Sequence, residues 1–162
     1  MKPRTPASKI VSRGQLLERF GGGRAGRVVF TNGCFEILHV GHVSYLDRAR
    51  ALGDALVVGV NSDASARRLG KGAGRPFVPE GERALLVAAL ESVDAVSLFD
   101  EDTPAELIRE LVPAVLVKGG DYSVETVVGR EVVEAAGGRV EILPLVRFRS
   151  TTELLRRLGA LA

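Results

Sequence analysis

Five short apolar-rich runs, each four to six residues long and separated by stretches of helical spacing, constrain this chain most: Val28–Thr31, Ala55–Val60, Ala95–Phe99, Ala114–Val117 and Val140–Leu143. A strand that is apolar along its whole length has both faces buried, and crossover helices on either side of a parallel sheet supply that cover. The alternation of strand and helix predicts an α/β fold, a single doubly wound, Rossmann-like domain with a five-stranded, mainly parallel sheet. A length of 162 residues, 46% of them hydrophobic, suits one such domain and is short for two.

The connecting segments carry helix punctuation. Val43, Leu46, Ala49, Arg50 and Leu52 follow helical spacing, with Gly53 where a C-terminal capping glycine belongs. From Glu82 to Leu90 the spacing sets Leu85, Leu86, Ala89 and Leu90 on one face, and Thr103-Pro104 ahead of Glu106 reads as a capped helix start. Ser12–Phe20 predicts a short helix ahead of the sheet, and Thr152–Leu158 one that follows it. Residues 1–26 are thus expected to be an N-terminal helix and linker, and 27–162 the α/β domain. Gly70–Pro79, with three glycines and two prolines, has no periodicity and is expected to be a mobile loop.

Composition narrows the partners. Twenty-two Lys and Arg residues are scattered among 20 Asp and Glu, a net charge of +2 without a long basic arm, so small anionic ligands are expected and nucleic acid is not. No apolar run approaches the roughly 20 residues that cross a bilayer. The opening MKPRTPASKI lacks an apolar signal core, so no membrane partner is expected and a cytoplasmic location is. Cys34, the single cysteine, forms no internal disulfide, in keeping with a reducing compartment. Assembly into a homo-oligomer is left open.

Gly21, Gly23 and Gly26 match the G-x-G-x-x-G spacing of dinucleotide sites, but that fingerprint works only after a strand and at the opening of a helix, whereas here it precedes the first strand. A flexible linker is the better reading. The informative segment is TNGCFEILHVGH, Thr31–His42, directly after the first strand, which holds both histidines of the chain, His39 and His42. The carboxyl end of a strand feeding a helix N-terminus is where α/β sheets bind phosphate, and two imidazoles there can donate hydrogen bonds to its oxygens. Cys34, His39 and His42 are rival zinc ligands, yet their spacing fits no usual zinc motif and no fourth ligand is evident, so the metal-binding residues stay unknown.

The signature His39-Val40-Gly41-His42, preceded by Thr31-Asn32-Gly33-Cys34-Phe35, resembles the cytidylyltransferase-like nucleotidyltransferases. Within that family the likeness is greatest to the D-glycero-β-D-manno-heptose 1-phosphate adenylyltransferases, which make ADP-heptose for bacterial lipopolysaccharide cores. It runs from about Lys9 to Leu158, through GHVSYLDRARALGD, VNSDAS, Gly74-Arg75-Pro76, VKGGDY and STTELL. The resemblance implies that His39 and His42 hold the triphosphate and stabilise charge on the α-phosphate and the departing pyrophosphate. Thr31, Asn32, Gly33 and Phe35 would seat the nucleotide, and Gly41 would allow close approach. Ser150, Thr151 and Thr152, opening the last helix, would bind the β- and γ-phosphates. Lys71 would bring a catalytic cation from the loop, and Arg75, Arg83, Lys118, Asp121, Asn61 and Asp63 would face the substrates.

The implied reaction transfers AMP from ATP to a sugar 1-phosphate by in-line attack on the α-phosphorus, with no covalent enzyme intermediate and with Mg²⁺ carried mainly by ATP. Two alternatives stay open: a cytidylyltransferase acting on glycerol 3-phosphate or a similar alcohol phosphate, and a non-catalytic nucleotide-binding module. Three departures bear on the sugar more than on the reaction. Glu36 stands where the family usually carries aspartate, LGKG holds an extra residue, and Arg147-Phe148-Arg149 precedes the STT.

Overall fold

The computed structural model describes residues 4–23, 25–120, 122–144 and 150–159. Five strands, β1 (Val28–Gly33), β2 (Ala55–Asn61), β3 (Ala95–Phe99), β4 (Val115–Gly119) and β5 (Arg139–Leu143), form one sheet in the order β3-β2-β1-β4-β5. Every pairing is parallel, so the mainly parallel sheet expected from the sequence is parallel throughout.

The helices are α1 (Pro6–Lys9), α2 (Arg13–Phe20), α3 (Val40–Arg50), α4 (Asp63–Arg68), α5 (Glu80–Ala88), α6 (Ala105–Leu111), α7 (Arg130–Ala135) and α8 (Thr151–Arg157). They cover both faces of the sheet, which is why β2 is buried at all seven positions. Its side chains alternate between two cores. Leu56, Val58 and Val60 meet Leu46 and Ala49 of α3 and Ala84, Val87 and Ala88 of α5. Ala55 and Val57 share the other face with Leu16 and Phe20 of α2, Leu107, Ile108 and Leu111 of α6, and Val133 of α7. The N-terminal segment therefore packs on the same sheet as the rest: the Val11 amide donates to Val96 O at 2.9 Å, and Ser12 caps α2 in a reciprocal capping box with Gln15.

Four local expectations are corrected. On α5 the buried face is Arg83, Ala84, Val87 and Ala88, while Leu85 and Leu86 are exposed. The smaller alanines let the helix approach the sheet. Gly53 does not cap α3, whose C-cap is Ala51; it is glycine because a Cβ there would stand 2.4 Å from Arg27 O. Pro104 is the N-cap of α6 rather than its first residue, and α8 begins at Thr151 with Ser150 as its cap.

The strand order reverses between β1 and β4, and ligands of doubly wound sheets bind outside the carboxyl ends of the strands at that reversal. The Gly21–Gly23 turn lies at the opposite, amino end of the strands, beside Pro113, Ala114 and Gly138, and leads into β1 rather than a helix. No described helix is long and apolar enough to cross a membrane.

Candidate active site

Between β1 and α3 the chain turns sharply at Phe35, whose φ of 49° lies in the left-handed region. A bulky residue held there costs about 1–3 kcal/mol, and such strain gathers at functional turns. The turn packs the Phe35 ring between Gly33, where a Cβ would come within 3.1 Å of it, and the His42 ring, 5.3 Å away between centroids. His39 is the N-cap of α3 and its Nδ1 accepts from the Gly41 amide at 3.1 Å. With Nδ1 an acceptor, the neutral ring carries its proton on Nε2. His39 and His42 stack at 4.0 Å between centroids. Burial, with His39 adding to it, pushes His42 down to about 4, so its ring is neutral near pH 7. His42 Nδ1 is buried with no hydrogen-bond partner among the described residues, an arrangement that costs about 1–3 kcal/mol and is rare outside functional sites.

The histidines open onto a cleft of about 610 Å³ at the carboxyl ends of β1 and β4, a volume suited to a small-molecule ligand. The sheet and the β1–α3 turn supply Asn32, Gly33, Cys34, Phe35 and Glu36, and α3 supplies Gly41, His42 and Tyr45 beside its cap His39. Lys71 and Arg75 come from the loop before α5, Lys118, Gly119 and Tyr122 from the end of β4, and Ser150, Thr151 and Thr152 from the start of α8. Lys118 Nζ donates to Asn32 Oδ1, and burial pushes its ammonium down to about 8. Ser150 Oγ accepts from the Glu153 amide at 3.1 Å and Thr151 Oγ1 donates to Ile37 O at 3.4 Å, which fastens α8 to the turn that carries the histidines. Glu36 is the one carboxylate among the described lining residues, and it accepts from Arg75 and from the Phe77 amide. No group of three potential metal ligands occurs among the described residues, so the zinc alternative is without a donor set.

Several expected site residues lie elsewhere. Thr31 is fully buried beneath the cleft, its Oγ1 paired with Tyr45 Oη at 2.6 Å, so Tyr45 and not Thr31 reaches the ligand space. Arg83 is 0% exposed and is absent from the cleft lining, because its guanidinium donates to Val78 O, Cys34 O and Asp63 Oδ1 at 2.8, 2.6 and 2.8 Å. Asp63 is thereby engaged as well, and Asn61 Nδ2 donates to Ser65 Oγ at 3.0 Å. Arg75 lines the cleft with its charge taken up by Glu36. Asp121 and Arg147-Phe148-Arg149 lie outside the described residues. Tyr45 and Tyr122 are lining residues that the sequence reading missed. Tyr45, three residues beyond His42 on one helix face, was open to discovery by periodicity.

The chain matches the cytidylyltransferase-like family over residues 30–153, a span that includes the whole β1–α3 turn and the start of α8. It belongs to that family. This cytidylyltransferase-like chain is 62% identical over 135 residues to the bifunctional protein HldE of Citrifermentans bemidjiense, covering 83% of the chain and 28% of that protein. With the bifunctional protein HldE of Trichlorobacter lovleyi the identity is 55% over 159 residues, covering 97% and 32%. The chain thus spans less than a third of the length of these curated relatives. Among solved structures it is similar to the lipopolysaccharide core biosynthesis protein of Thermoplasma volcanium, at 31% identity and a TM-score of 0.61, over 75% of this chain and 98% of that one. A pantoate-beta-alanine ligase of Francisella tularensis, at 12% identity and a TM-score of 0.59 over 85% of this chain and 67% of its own, shares the fold.

Proposed function

We propose that the chain transfers AMP from ATP to a sugar 1-phosphate, with D-glycero-β-D-manno-heptose 1-phosphate as the acceptor, giving ADP-heptose and pyrophosphate. The observation that carries this is the stacked His39–His42 pair at the N-terminus of α3, set in a cleft whose charges without an ion-pair partner, among the described lining residues, are cationic. A helix N-terminus favours the triphosphate, and His39, whose Nδ1 is taken by the Gly41 amide, is left with Nε2–H to donate to its oxygens. Attack by the acceptor's phosphate oxygen on the α-phosphorus breaks the bond to the β-phosphate and moves negative charge onto pyrophosphate. Donors fixed in advance around that charge lower the barrier by several kcal/mol. Lys118 at the end of β4 faces the acceptor phosphate, and the start of α8 faces the leaving group, with the Ser150 and Thr152 hydroxyls as donors and Thr151 holding α8 to the turn through Ile37 O. The relatives named HldE and the lipopolysaccharide core biosynthesis protein support the choice of acceptor. Magnesium has no carboxylate set in the described cleft, since Glu36 is engaged by Arg75, so it would arrive on the triphosphate and no step is assigned to it. A cytoplasmic location, where ATP is supplied, goes with this reading.

Incubation with ATP or CTP, heptose 1-phosphate or glycerol 3-phosphate, and a pyrophosphate readout tests it. ATP with heptose 1-phosphate is expected to give the highest kcat/KM. Preference for CTP with glycerol 3-phosphate would make the chain a cytidylyltransferase of alcohol phosphates, and no turnover with any pair would leave a nucleotide-binding module.

Lys118 adds a dependence on pH. Its ammonium is expected to lose its proton as pH rises past about 8, so KM for the sugar 1-phosphate rises there while ATP affinity holds. Stability moves the other way. Between about 8 and the ordinary 10.5 the unfolded chain binds the extra proton, so folding gains as pH climbs through that window. A KM flat from pH 7 to pH 9.5 would remove Lys118 from the acceptor site.

A further inference from the structure

Arg83 ties the end of the Gly70–Pro79 loop to the β1–α3 turn through Val78 O and Cys34 O, and one carboxylate ties the loop's middle to the same turn. Glu36, 4% exposed, accepts at Oε2 from Arg75 Nε at 2.7 Å and from the same guanidinium's second nitrogen, while its Oε1 accepts from the Phe77 amide at 2.7 Å. Arg75, 10% exposed, turns its remaining nitrogen onto Lys71 O at 3.2 Å. Burial alone would raise the Glu36 carboxyl, but the hydrogen bonds from Arg75 and Phe77 outweigh it and hold the group below the usual carboxylate range. The contacts form a chain from Glu36 through Arg75 to the backbone of Lys71, whose Nζ stands 4.0 Å from Cys34 Sγ at the cleft wall.

We infer that Glu36 is a positioning residue: through Arg75 it fixes the backbone of Lys71, so that the Lys71 ammonium meets the nucleotide's phosphates at a set place beside the histidine pair. This rests on the adenylyl-transfer reading above. The exposed Lys71 side chain has a long flexible stem, and only its backbone is held by the pair. An ammonium on such a stem contributes to a transition state in proportion to how well its base is placed. Glycines at positive φ on either side, Gly70 at 65°, Gly72 at 125° and Gly74 at 75°, leave the loop's path to be set by such contacts. Arg75 is then a strut and not a phosphate ligand.

Glu36→Gln, Lys71→Ala and the double variant, assayed by pyrophosphate release and by trypsin cleavage after Lys71, form the test. The Arg75-Pro76 bond resists trypsin, so Lys71-Gly72 is the loop's one cleavable site. Glu36→Gln and Lys71→Ala are each expected to lower kcat/KM about 10-fold, chiefly in kcat, and the double variant to match Lys71→Ala within about twofold, because residues acting through one another are not additive. Cleavage after Lys71 is expected to speed up several-fold in Glu36→Gln. Arg75→Gln breaks the same pair from the loop side and is expected to reproduce both effects, which covers the case in which Glu36→Gln fails to fold. Losses that multiply in the double variant, or cleavage and turnover both unchanged in Glu36→Gln, would overturn the inference. Cleavage is read without substrate: if the unsubstituted chain turns over no sugar 1-phosphate, the reaction reading fails, and the trypsin comparison alone still decides for or against the clamp.

Discussion

Replacing His39 or His42 with alanine is expected to lower kcat by about 10²-fold or more with little change in melting temperature, the scale seen when a preorganised transition-state donor is removed. On the adenylyl-transfer reading the effect belongs in kcat, because the oxygens that the imidazoles would face gain charge as the bond to pyrophosphate breaks. The two rings stack at 4.0 Å, and His42 owes part of its lowered pKa to His39, so the double variant is expected to lose less than the product of the single losses. Because burial holds His42 down to about 4, it contributes no acid limb to the pH–rate profile near 6.5. Steady-state kinetics beside a thermal melt separates the outcomes. A double-alanine variant that folds and turns over within threefold of the parent chain would remove the pair from the chemistry.

The fold was legible because the strands are apolar along their length, and only a sheet covered on both faces buries such strands. The exception is α5, where the run Ala84–Leu90 is apolar throughout and leaves the period without contrast. The buried side was chosen by size, with alanines against the sheet, and by Arg83, whose charge argues for exposure until its three partners are seen. Gly53 has the same lesson in backbone form: its neighbour is Arg27 O, 26 residues away in the chain and invisible to helix punctuation.

The site divides along the same line. His39, His42, Lys118 and the Ser150–Thr152 start of α8 were readable, since each sits where a strand ends or a helix begins, and a doubly wound sheet brings those places to one cleft. Thr31 was misplaced by one layer, because strand alternation sends it beneath the cleft, and its hydroxyl orients Tyr45 from there. For Glu36, Arg75 and Arg83 the type of residue was informative and the role was not. Whether a charge meets a ligand or another side chain depends on pairings across 20 to 49 residues of sequence.

Arg83→Met is expected to destabilise the chain by about 3 kcal/mol, toward the lower end of the range for removing one partner of a buried ion pair. Methionine fills much of the space but leaves Cys34 O and Val78 O without their donor and the Asp63 carboxylate without its cation. Asp63 is 25% exposed and can turn part way to water, which keeps the loss from the top of that range. For a chain of this length each kcal/mol moves the melting temperature by roughly 2–4 °C, so a fall of about 6–12 °C is expected. Arg83→Lys is expected to lose about half as much, since an ammonium keeps the charge but satisfies one of three partners in place of a planar fork that reaches all three. Both variants are expected to lose activity as well, because Cys34 and Val78 belong to the turn and the loop that flank the cleft. A phosphate ligand would behave differently. If Arg83→Met melts within 2 °C of the parent chain while KM for ATP or the sugar phosphate rises 10-fold, the guanidinium serves the substrate and not the fold.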